Sequence, residues 1–163
     1  MEIWDLYNAK REKLEREWIR GPKLPENCYH LVVHVWVKNN KGEYLISQRA
    51  ENRLSFPLMW ECTGGSVLKN ESSIDGAIRE VKEEVGIDLD RDNGKLILSK
   101  IREEFNDIFD VWLFEYNGEI NLEKATTDEV KQVKWLTKED IRELFNQNKF
   151  VNTLEYFLND ERM

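Results

Sequence analysis

Cysteine, histidine and proline are scarce in this chain of 163 residues, which has two cysteines, two histidines and three prolines. Cys28 and Cys62 stand far apart with no C-x-x-C spacing, which argues against a disulfide and predicts reduced, partly buried thiols. No apolar run approaches the roughly 18 to 20 residues that cross a bilayer, and the opening MEIWDLYNAK lacks the basic start and apolar centre of a signal peptide. A cytoplasmic protein with no membrane association is the expectation. Positive charge is also in short supply. Twenty-four Lys and Arg face 32 Asp and Glu, a net charge of −8, which argues against a sequence-independent grip on nucleic acid. A phosphate ligand would therefore need a local offset to that charge. There are no repeats, no low-complexity tract and no clear interdomain linker.

What is present builds one core. Hydrophobic residues make up 40% of the chain, and six Trp, five Tyr and seven Phe supply large apolar surfaces, while 34% charged residues keep the outside wet. Tyr29 to Val37, YHLVVHVWV, is rich in β-branched and aromatic residues and is bounded by PEN and NNKG, which marks a strand and a turn. Glu43 to Gln48 reads as its hairpin partner. Trp60 to Thr63 is a short extended approach to Gly64 and Gly65. The segments DNGKLILSKIREEF and DIFDVWLFEY predict two antiparallel strands joined near Asn106 and Asp107, and Val130 to Trp135 predicts another. The opening segment pulls two ways, because KREKLEREW favours helix by propensity and IWDLY favours strand.

Two helices carry clear boundary signals. In the first, Ser72 and Asp75 have capping-box spacing, Ile74, Ala77, Ile78, Val81 and Val85 form an apolar stripe, and Gly86 suits a C-terminal cap. In the second, Thr137 caps with Asp140, and Leu136 and Ile141 sit at staple spacing. A last amphipathic stretch places Phe150, Leu154, Phe157 and Leu158 together. Strands in hairpins mixed with packed helices imply an α+β fold or a mixed sandwich.

On the first helix Glu80, Glu83 and Glu84 stand at i, i+3 and i+4 and share a face away from the apolar stripe. Like charges at that spacing repel, although Arg79 can pair with Glu83. Such a string alone is ordinarily a solvated face. The longer pattern reads Gly65, five residues, Glu71, seven residues, then Arg79, Glu80, Val81, a free position, Glu83, Glu84, a free position, Gly86 and Ile87. At every specified position this resembles the signature of the Nudix hydrolases.

The resemblance implies the Nudix fold, an α/β/α sandwich with a mixed β-sheet and a catalytic loop-helix-loop, over residues 29–163, with 1–28 as an N-terminal extension packed on it. It implies hydrolysis of a diphosphate linkage in a nucleoside diphosphate derivative, by water attacking one phosphorus of an X–O–P–O–P chain. It also implies divalent cations, Mg²⁺ first and Mn²⁺ as a substitute, since an acidic protein can hold a polyanion through hard cations on carboxylate oxygens. By the same resemblance the metal ligands are the Gly65 carbonyl, Glu80, Glu83 and Glu84, Arg79 orients a glutamate, and Glu71 supports the loop. The general base is Glu80 or, from the loop before the Val130 strand, Glu129, with the helix residue preferred.

Outside that signature, His30 to Trp60 resembles the isopentenyl-diphosphate isomerase branch, which would set Arg49 and Arg53 against the substrate diphosphate. The isomerase cysteine position is occupied by Gly65, however, the histidine after it by Val67 and another by Lys23. His30 alone remains, and His34, about 13 Å away along a strand, cannot share its ion. His30 is read as a strand histidine with a hydrogen-bond partner. Hydrolysis is thus the first reading, isomerisation the second, and a non-catalytic diphosphate-binding module the third. Phe56, Trp60, Phe105 and Trp112 are candidates for either base stacking or core. The first 28 residues suit either a hairpin over the site or a homodimer contact.

Overall fold

The computed structural model describes residues 1–163. Two short pieces come first, β1 (Ile3–Tyr7) and β2 (Lys13–Ile19), paired antiparallel with Ile3 opposite Ile19 and Trp4 opposite Trp18. The helix propensity of KREKLEREW is overridden here, since β1 offers backbone partners and the alternating positions of β2 can leave their charges in water. This hairpin forms a separate two-stranded sheet laid on the rest. Trp4 and Leu6 are buried, Tyr7 and Tyr29 exchange backbone hydrogen bonds, and Arg11 reaches Asp110 with two hydrogen bonds of 2.7 and 2.5 Å.

The main sheet is mixed. β3 (His30–Lys38) runs parallel to β8 (Asp107–Glu115) along its full length and antiparallel to β6 (Thr63–Ser66). β7 (Gly94–Arg102) pairs antiparallel with β8, and Asn106, in the left-handed region at φ 52°, helps to turn the chain between them. β4 (Tyr44–Arg49) pairs with β3 only through Lys38 and Tyr44, then diverges to pair with β5 (Trp60–Glu61) and β9 (Val130–Leu136). The expected hairpin of β3 and β4 therefore opens like a fork. The cleft between its arms is where β6 enters.

Both faces are covered, which makes β3 apolar on nearly every residue. Leu31, Val33, Val35 and Val37 pack with Ala77, Val81 and Val85 of α1 (Ser73–Val85). Trp36 lies on the other face with Tyr44, Ile46, Phe150, Phe157 and Ile141, the last from α2 (Lys138–Asn146). A short α3 (Tyr156–Asn159) closes that layer, with the Trp36 and Phe157 rings stacked at 3.9 Å. Both capping boxes form, Ser72 with Asp75 and Thr137 with Asp140. Gly86 ends α1 at φ 74°, a left-handed cap that glycine adopts without a Cβ penalty. No helix is long and apolar enough to cross a membrane.

Candidate active site

The apolar stripe of α1 fixes where its acids point. With Val81 and Val85 in the core, Glu80, Glu83 and Glu84 turn toward β6 and the loop before β9. That loop is tied to the helix, because the N–H groups of Thr126 and Thr127 donate to the Glu83 carbonyl at 2.9 and 3.2 Å. The tie brings Glu129 to the same place. Arg53 pairs with Glu129 at 2.9 Å. The result is a cavity of about 170 Å³ with no hydrophobic lining residue, walled by Gly64, Gly65, Ser66, the three helix glutamates, Glu129, Arg53 and Thr127. Gly65 is there for space, since a Cβ at that position would overlap the Glu80 carboxylate.

Arg79 sits at the centre of the acidic cluster. Its Nε and Nη2 donate to the two Glu71 oxygens at 2.8 and 3.0 Å, and Nη1 donates to Glu80 at 2.9 Å and Glu83 at 3.1 Å. Nη2 also donates to the Ser66 carbonyl. Glu71 in turn accepts from the Leu68 N–H at 2.9 Å, which closes the loop before α1. The guanidinium is therefore oriented mainly by Glu71 and shared between two of the helix acids.

The remaining acids are poorly compensated. Glu84 is 7% exposed, and burial, with Glu61, Glu80 and Glu129 nearby, raises its pKa well above the carboxylate range, only Arg49 opposing. Glu80 is pushed up to about 7 by burial, against the pull of Arg79. Glu61 is raised by burial too, though Arg49 pairs with it at 2.6 Å. As the side chains stand, no three of them converge into a ready cation cage. Glu80 and Glu83 are instead turned to Arg79. The donor set nevertheless suits a hard divalent ion, with carboxylates and a backbone carbonyl as oxygen ligands and a buried Glu84 without a salt-bridge partner.

Three features of this site lie outside the sequence reading. Glu61 is carried to Arg49 by the β4–β5 pairing. Glu2 and Arg20, from the ends of the N-terminal hairpin, line the acidic cavity and pair with each other at 2.9 Å. Neither has a motif around it that would have flagged it. Arg49 and Arg53 do border cavities beside the glutamates, but each is already held by a carboxylate. His30 corrects an expectation, because its Nδ1 is buried with no hydrogen-bond partner and its ring instead stacks on Trp4 at 4.1 Å. Burial lowers its pKa to about 4. Of the aromatic candidates, Trp60 is buried, Phe56 borders a second cavity, and Phe105 is exposed beneath Arg102. Cys28 and Cys62 are free and buried.

This geometry belongs to a recognised class. The model of the NUDIX domain matches residues 29–157. The chain belongs to the Nudix family, and it is an enzyme of the Nudix hydrolase type, acting on pyrophosphate bonds. It is 38% identical over 161 residues to the uncharacterized Nudix hydrolase lin0387 of Listeria innocua, covering 98% of this chain and 92% of that one. The structure of DR0079 from Deinococcus radiodurans shares the fold at a TM-score of 0.75 and 20% identity, over 97% and 98% of the two chains. A bifunctional NMN adenylyltransferase/ADP ribose pyrophosphatase of Francisella tularensis, complexed with AMP and Mn, matches at a TM-score of 0.57 and 23% identity, over 81% of this chain and 39% of that one. The likeness to isopentenyl-diphosphate isomerases finds no support among the named relatives.

Proposed function

We propose that this enzyme hydrolyses the diphosphate linkage of a nucleoside diphosphate derivative in a reaction that depends on Mg²⁺, with Mn²⁺ able to substitute. The observation that carries the reading is the buried Glu84, set beside Glu80, Glu61 and Glu129 with too little positive charge to compensate them. A fold that keeps such a cluster gains from a bound cation. The Gly65 carbonyl, Glu80, Glu83 and Glu84 would hold it. When bound, the ion spreads the charge that develops over the attacking and leaving oxygens at phosphorus. Arg79 holds Glu80 and Glu83 at the edge of the cavity, and its bidentate bond to Glu71 would keep the guanidinium in place if both acids held an ion. Arg53 and Arg49 would face the diphosphate oxygens, which compete with Glu129 and Glu61 for the guanidinium groups.

Glu80 is the preferred base to take a proton from the attacking water, being seated beside Gly65 at the cavity floor. Glu129, tied to Arg53 and on a loop, is the second candidate. The nucleotide and manganese of the Francisella neighbour agree with the choice of substrate class and metal, at the level of fold. The protein is expected to act on a free small molecule in the cytoplasm, without membrane or nucleic-acid partners. The test is hydrolysis of a panel of nucleoside diphosphate derivatives with Mg²⁺, compared with EDTA. Cleavage by wild type that disappears in Glu83→Gln and Glu84→Gln is the expected result. Turnover that survives both substitutions would place the metal elsewhere.

A further inference from the structure

β3 sends Val32, His34 and Trp36 to the face opposite α1, and on that face lies a cavity of about 460 Å³ bordered by His34, Arg49, Phe56 and Arg102. Gly64, Gly65 and Ser66 of β6 border both this cavity and the acidic one, so the two meet along that strand. A ligand whose diphosphate lies by the glutamates can extend over the side-chain-free glycines to reach His34.

The hydrogen bonds around His34 define which of its nitrogens carries the proton. Trp36 Nε1 lies 3.1 Å from the Tyr156 hydroxyl oxygen, and His34 Nδ1 lies 2.9 Å from the same atom. An indole N–H can only donate, so the tyrosine oxygen accepts from Trp36, and its own hydrogen requires an acceptor. Nδ1 of His34 is the acceptor within reach. Were Nδ1 protonated instead, two donors would converge on one hydroxyl and leave its hydrogen without a partner among aromatic rings. A neutral imidazole with a bare Nδ1 carries its hydrogen on Nε2. The ring is neutral because burial, helped by Arg102, pushes its pKa down to about 3. His34 borders the cavity, and the Cδ2 atom adjacent to Nε2 faces Gly64.

We propose that His34 is a specificity-determining residue whose Nε2–H donates a hydrogen bond to an uncharged acceptor, a ring nitrogen or carbonyl oxygen, on the nucleoside moiety of the substrate. The inference rests on the diphosphate-hydrolase reading above. A neutral donor suits a neutral acceptor; of the cations flanking it, Arg102 is already partnered by Asp107 at 2.8 and 2.6 Å, and Arg49 is assigned above to the diphosphate oxygens. Tyr156 is a positioning residue that acts through His34 by fixing its tautomer.

The experiment uses the full chain labelled with [¹⁵N]histidine, with His30→Asn to assign the two rings by NMR. Protonated Nε2 and bare Nδ1 are expected at His34, and Tyr156→Phe should convert this into a mixture of tautomers. With Mg²⁺ present, α,β-methylene-ADP should shift the Nε2 resonance, and methylenediphosphonate, which lacks a nucleoside, should not. His34→Leu should weaken α,β-methylene-ADP roughly tenfold, the loss of about one hydrogen bond, and leave methylenediphosphonate unchanged, while His34→Gln, which keeps a neutral donor, should recover most of the loss. A protonated Nδ1, equal effects on the two probes, or no effect of His34→Leu would overturn the proposal alone. Binding of neither probe would overturn the nucleoside-diphosphate reading of the site as well.

Discussion

Glu80→Gln should make the metal-free protein more stable at neutral pH while removing its activity. The Glu80 carboxyl has a pKa of about 7 in the folded chain against an ordinary 4.5, because burial outweighs the favourable Arg79 pair, and its side chain is only 14% exposed. An acid whose folded pKa lies above its unfolded one supports the fold while it is protonated. That support is complete below about pH 4.5 and is lost as the pH rises through about 7. At about 1.4 kcal/mol per pKa unit the loss amounts to about 3 kcal/mol. Glutamine has the same shape, stays neutral and can still accept from Arg79. Urea unfolding in EDTA should therefore give nearly equal stabilities near pH 4.5 and a gap in favour of the variant that grows to about 3 kcal/mol by about pH 8. Saturating Mg²⁺ should narrow the gap, since a cation favours the ionised carboxylate and binds the folded chain. A gap that stays flat across this range would refute the reasoning.

Glu84→Gln should lower turnover at least about a hundredfold, through loss of a carboxylate ligand for the cation, with the thermal midpoint in EDTA unchanged or raised; a lowered midpoint would mean that Glu84 has a structural partner. Gly65→Ala should cost a similar factor, because the added methyl displaces the Glu80 carboxylate, and circular dichroism should show the fold retained. Arg11→Ala should destabilise by roughly 2–3 kcal/mol, by stripping two charge-assisted hydrogen bonds from the fully buried Asp110, read by urea unfolding; a loss under about 0.5 kcal/mol, the size of an ordinary surface change, would show that the hairpin is not latched there. Arg53→Ala should raise KM more than it lowers kcat if that guanidinium meets substrate phosphate; the opposite split would assign it to Glu129 instead.

The parts of this protein legible in the sequence are those governed by local rules. Ser72 with Asp75, Thr137 with Asp140 and Gly86 are short-range signals, and each forms as written because its partners lie within one helical turn. The central strands β3 and β8 are readable because covering both faces leaves them rich in apolar and β-branched residues. Of the first 19 residues, IWDLY reads as the strand it forms, whereas KREKLEREW does not. KREKLEREW has helical propensity, and what makes it a strand is pairing with β1 and a latch from Arg11 to Asp110, 99 positions away. The site divides along the same line. The spacing of Glu80, Glu83 and Glu84 needs only helical geometry, whereas Glu61, Glu2 and Arg20 arrive through long-range pairing, and Trp4 rather than a hydrogen bond turned out to accompany His30.

The central claim is tested most directly by one measurement: purified protein incubated with Mg²⁺ and a panel of nucleoside diphosphate derivatives, with isopentenyl diphosphate alongside, scored by chromatography for released nucleotide or phosphate and for allylic product. The account predicts cleavage of at least one nucleoside diphosphate derivative, abolished by EDTA. Migration of the double bond of isopentenyl diphosphate without hydrolysis, or tight binding across the panel with no cleavage, would contradict it.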